Sequence, residues 1–84
     1  MNKEFILFNL KEAKESIENI IQYIENQEDY CDDDGYYIVD MQHLYWHINT
    51  AWNARNSSPK DSEECTEENC EKWNEFPSDL IMNY

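Results

Sequence analysis

Ile6, Leu10, Ala13, Ile17, Ile20 and Ile24 recur at alternating steps of four and three residues, and Ile21 widens the stripe. This is the period of a helix with one buried face, and it predicts a first helix over residues 3–26. Glu12, Glu15 and Glu18 fall outside the stripe and belong to a solvated back. Asn9 followed by Glu12 offers an alternative N-cap, which would move the start to Leu10. Tyr37, Met41, Leu44, Ile48 and Ala51 repeat the rhythm, flanked by Tyr45 and Trp52, and predict a second helix over 36–56. Asp32-Asp33-Asp34-Gly35 supplies the turn signal between them, and Ser57-Ser58-Pro59 ends the second. Two such stripes joined by a short break pack as an antiparallel hairpin.

A shorter third helix is expected over 62–75, with Cys65, Cys70 and Trp73 available to pack and Pro77 as its stop. Leu80, Ile81 and Met82 give an apolar C-terminal tail that covers the hairpin. The expected fold class is therefore all-α, with residues 1–84 as one small helical domain. Short strands over 5–8 and 36–39 are the competing reading. The helical stripes, however, run through Ile6 and Tyr37 without a change of phase, and two lone strands are marginal. One glycine and two prolines agree with helices and leave no glycine-rich phosphate loop. Twelve aromatic residues supply the bulk that so short a chain needs for a core.

A formal net charge of −13 sets the sign of any partner. Nucleic acid and anionic membrane call for a basic surface, so direct contact with either is not expected. The charge is also unevenly placed. Glu25 to Asp40 holds seven acids and no base, and Asp61 to Asp79 holds eight acids against Lys72. Met41 to Lys60 has no acid at all. Two acidic surfaces beside a neutral, aromatic-rich helix are what a cationic protein would meet, with its approach steered by the field.

Cys31, Cys65 and Cys70 make an odd set without the spacing of a disulfide framework. On one continuous helix Cys65 and Cys70 would point about 140° apart, so both are expected as separate free thiols. The apolar run Phe5 to Phe8 is too brief for a signal-peptide core or a membrane span, and a reducing cytoplasm is the expected location.

Asp40, His43 and His47 share one edge of the second helix, and two histidines four apart can share a metal. No Glu follows His43, so the metalloprotease pattern is missing. Gly35 as the sixth position of a calcium loop would need an acid at 30 and a Glu at 41, where the chain has Tyr30 and Met41. Cys31 lies among carboxylates, which weaken a thiol nucleophile. No catalytic residue, metal or cofactor is assigned.

The expected function is that of a non-enzymatic acidic binding protein docking on a basic partner, as inhibitors, immunity proteins and DNA mimics do. Its contact residues are Asp32, Asp33, Asp34, Glu63, Glu64, Glu67 and Glu68, with Trp46 as an aromatic anchor. One alternative is a small helical adaptor or subunit that pairs through apolar helix faces, with itself as a homodimer or with another chain. The other is metal binding through Asp40, His43 and His47.

Overall fold

The computed structural model describes residues 1–27, 29–30 and 34–80. Four helices follow one another: α1 (Lys3–Asn26), α2 (Asp34–Asn53), α3 (Pro59–Glu64) and α4 (Glu67–Trp73). No strand occurs among the described residues. The two long helices pack against each other as the expected hairpin, and α4 packs on α2.

The chain starts α1 at Lys3 because Asn2 caps it: the Asn2 side-chain oxygen accepts from the Phe5 N–H at 3.2 Å. Asn2 also closes the far end of the hairpin. Its backbone N–H donates to the Arg55 carbonyl at 2.6 Å, and its Nδ2 donates to the hydroxyls of Ser57 and Ser62. One residue thus ties the start of α1 to the end of α2 and to α3. The alternative cap, Asn9, lies inside α1 and is fully buried.

The expected stripe is only partly the buried face. On α1, Asn9, Ala13 and Ile20 are buried, whereas Leu10, Ile17, Ile21 and Ile24 are exposed. On α2, Leu44 and Ala51 are buried, Tyr37 and Met41 half-buried, and Ile48 exposed. The buried residues of the long helices are accordingly rich in small and polar groups: Asn9 and Ala13 on α1, His47, Asn49, Thr50 and Ala51 on α2, and Ala54 just past its end, with Asn9 and His47 meeting directly. Ala13, Ile20, Tyr30 and Leu44 form the apolar cluster nearer the turn, with Tyr37 and Met41 packed against it. Tyr30 packs at a tilt against Tyr23 and edge-on against Tyr37, and its hydroxyl donates to the Asp40 carboxylate.

The single third helix expected over 62–75 is two. Pro59 opens α3 instead of closing α2, with Ser58 as its cap; its ring suits a first helical position, where no N–H bond is required. Cys65 then turns left-handed (φ 42°, ψ 60°), and Thr66 caps α4. This corner returns α4 onto α2, where Trp73 is buried against Phe5, ring centroids 5.5 Å apart. Asn49 donates to the Asn74 carbonyl, and Asn53 to the carbonyls of Trp73 and Glu75, satisfying the end of α4. Leu80 is exposed, and Ile81 and Met82 of the expected tail lie outside the described residues.

Two substitutions test this packing. Trp73→Ala should lower stability by about 3–5 kcal/mol, read as a fall in the urea midpoint, because it opens the seat of α4. The Thr50 hydroxyl is buried with no hydrogen-bond partner among the described residues. Thr50→Val should therefore raise stability by about 1 kcal/mol, since it removes an unpaired buried polar group at nearly constant volume.

Candidate functional site

A relay of polar side chains crosses the hairpin. Asn9 Nδ2 donates to the Phe5 carbonyl at 2.9 Å, one turn back along α1, which leaves Asn9 Oδ1 as an acceptor toward α2. It meets His47 Nδ1 at 3.0 Å, so this nitrogen carries the hydrogen. A neutral His47 then presents a bare Nε2. His43 Nε2 lies 3.3 Å from it and donates, and His43 Nδ1, bare in turn, accepts from the Ser16 hydroxyl at 3.1 Å. Every member of the chain is satisfied when both imidazoles are neutral. These tautomers are assigned from the network, each fixed by the one before it.

Aromatic rings wall the relay. Phe8 meets His47 edge-on at 6.5 Å, and Trp46 does so at 4.8 Å. Burial pushes the pKa of His47 below its usual 6.5, and the neighbouring His43 pushes it further down, against an opposing pull from Glu12. Trp46 is half-buried, and with Met41, His43, His47 and Phe76 it lines an open groove of about 860 Å³.

Ser16, His43 and His47 have the outline of a nucleophile, a base and an orienting group. The surroundings do not suit that chemistry. Ser16 sits in the middle of α1, where neighbouring backbone N–H groups are committed to the helix, and Glu12, Glu15 and Asp40 line a second, smaller hollow beside it. Carboxylates oppose a developing oxyanion rather than stabilise it. The metal alternative fares no better. Asp40 takes the Tyr30 hydroxyl, the two Nε2 atoms bond each other, and no three His, Cys, Asp or Glu side chains gather among the described residues.

The expected contact residues are scattered over three elements. Asp32 and Asp33 lie outside the described residues, and Asp34 begins α2. Glu63 and Glu64 end α3; Glu67 and Glu68 form the first turn of α4, where negative charge suits the helix dipole. All four glutamates are exposed, and the ion pairs among the described residues, Lys14–Glu18 and Arg55–Asp79, include none of them. Arg55 instead finishes α2: its guanidinium donates to the Trp52 carbonyl and lies 3.8 Å over the Trp52 ring. Trp52 Nε1 donates to Asp79 at 2.9 Å, and this bond holds the exposed Asp79 carboxyl below its ordinary range.

A second surface is made largely of residues that the stripe predicts to be buried. Leu7, Leu10, Ile17, Ile21 and Ile24 of α1 are each between 42% and 52% exposed. At 100° per residue they form one ridge, turned roughly 90° from the face that Asn9, Ala13 and Ile20 bury against α2. No helix of the described residues is long and apolar enough to cross a membrane. Compared with protein-family models, curated proteins and solved structures, the chain matches none.

The relay makes stability depend on pH with a definite sign. The folded state holds His47 neutral below the pH at which the unfolded chain protonates it, so the unfolded state binds more protons. His47 imposes no penalty above about pH 6.5 and a growing one as pH falls through that value. Urea titrations at about pH 7.5 and about pH 5.5 should show a loss that His47→Gln reduces. Asn9→Ala, which strands the His47 N–H, should cost about 1–3 kcal/mol at the higher pH.

Proposed function

We propose that this chain is a non-enzymatic protein-binding module whose partner is a cationic amphipathic surface. The observation that carries the reading is the ridge of Leu7, Leu10, Ile17, Ile21 and Ile24, apolar side chains left half-exposed along one side of α1. Contiguous apolar surface of this kind mark sites of association. Charge selects what lies on it. Two copies at −13 each repel, whereas a cationic partner is drawn in by the long-range field of that charge, to which Glu63, Glu64, Glu67 and Glu68 and the Asp32–Asp34 tract contribute. The apolar contact supplies affinity, and the acids supply steering and choice of partner. Trp46 lines a groove that includes none of the ridge residues, and in this reading it is a separate aromatic contact.

A synthetic Leu/Lys amphipathic peptide, titrated by calorimetry at low and high salt, tests both parts. Ile17→Asp with Ile21→Asp should weaken binding by about tenfold or more at either salt, because it places charge on the apolar contact. Changing Glu63, Glu64, Glu67 and Glu68 to Gln should weaken binding at low salt only, flatten the salt dependence and leave the unfolding midpoint equal or higher. Equal affinity of all three proteins would sink the proposal. A concentration-dependent dimer in sedimentation, abolished by Ile17→Asp, would replace the cationic partner with a second copy.

A further inference from the structure

Cys65 and Cys70 lie side by side. An uninterrupted helix would turn them apart, but the left-handed turn at Cys65 breaks the helix between them. It is the one non-glycine residue with positive φ among the described residues, a conformation that L-residues resist. The turn brings the two Sγ atoms to 2.6 Å, with Cys70 Sγ also 3.5 Å from the Cys65 carbonyl. Both side chains are half-exposed, within reach of a small oxidant. The corner that holds them is fixed on each side: the Cys65 N–H bonds the Asp61 carbonyl, and Thr66 caps α4.

We propose that Cys65 and Cys70 are a reversible dithiol–disulfide couple, oxidised by small-molecule disulfides, that locks the corner between α3 and α4. The Cys65 thiolate attacks one sulfur of the oxidant RSSR, giving a Cys65–S–S–R mixed disulfide and one RSH. The Cys70 sulfur then attacks Cys65 Sγ, forming the Cys65–Cys70 bond and releasing the second RSH. The two thiol protons end on the two RSH molecules, and RSSR takes up the two electrons. In the reduced state the hydrogen bond with Cys65 is the main cause that pushes the Cys70 thiol up to about 11, with burial adding to it. A mixed disulfide on Cys65 removes that bond, which frees Cys70 to act as the resolving thiol.

The couple stands apart from the binding proposal and has its own test. Full-length protein carrying Cys31→Ser is equilibrated in graded ratios of reduced and oxidised dithiothreitol, quenched in acid, alkylated and weighed. The expected result is one two-electron transition to a monomer lighter by two hydrogens, with alkylation of Cys65 and Cys70 lost together. The oxidised form should unfold about 5–15 °C higher, since the bond closes a short loop in the unfolded chain. Cys70→Ser should instead trap Cys65 as a mixed disulfide with oxidised glutathione, while circular dichroism reports an unchanged helix content. Persistent alkylation of both cysteines across the series, oxidation only to intermolecular dimers, or a lower midpoint after oxidation would each overturn the proposal.

Discussion

The buried Asn9–His47 hydrogen bond is the constraint from which the rest of the hairpin follows. A buried polar group without a partner costs about 1–3 kcal/mol, so a helix pair that buries Asn9 and His47 must bring them together. Asn9 itself is oriented by the Phe5 carbonyl, and the direction of each later bond to His43 and Ser16 follows from it. These bonds fix the rotation of α1 about its own axis and its register along α2. Apolar contacts alone are non-directional and would leave both loosely specified.

That rotation has a consequence for the surface. Aligning Asn9, Ala13 and Ser16 with α2 turns the isoleucine ridge of α1 outward, while the small residues Ala13, Ala51 and Ala54 are among those buried. The remaining bulk gathers elsewhere: Tyr23, Tyr30 and Tyr37 at the turn, Phe5 and Trp73 where α4 folds back. Polar ends are satisfied by the asparagines at each joint. Asn2 binds the end of α2, and Asn49 and Asn53 bind the end of α4. The same specificity that pins the hairpin therefore leaves an apolar strip at the surface; separately, Glu63, Glu64, Glu67 and Glu68 make no ion pair among the described residues, and both features support the binding proposal.

The helices were legible because periodicity is a local property. The first runs over Lys3–Asn26 as the stripe predicts, and the second falls within a few residues of its expected bounds. The buried side was misplaced. A stripe marks where apolar residues lie, and it cannot report that a neighbouring edge holds an asparagine whose partner is thirty-eight positions away. One signal was present: Asn9 interrupts the apolar run from Phe5 to Leu10, a poor place for an exposed side chain to be spent. The corner at Cys65 was missed because nothing in its sequence demands a left-handed residue; neither glycine nor asparagine stands there.

By itself, then, the sequence determined helix content, the hairpin order and the sign of the electric field, because propensity, hydrophobic period and formal charge belong to residues and their near neighbours. Only the tertiary structure decided which face of α1 is buried, which sulfur meets which, and which acids are left without a cation. Those outcomes depend on directional bonds between residues far apart in the chain. The Asn9–His47 bond sets the rotation of the hairpin, and the left-handed turn at Cys65 brings the end of α4 under Asn49 and Asn53.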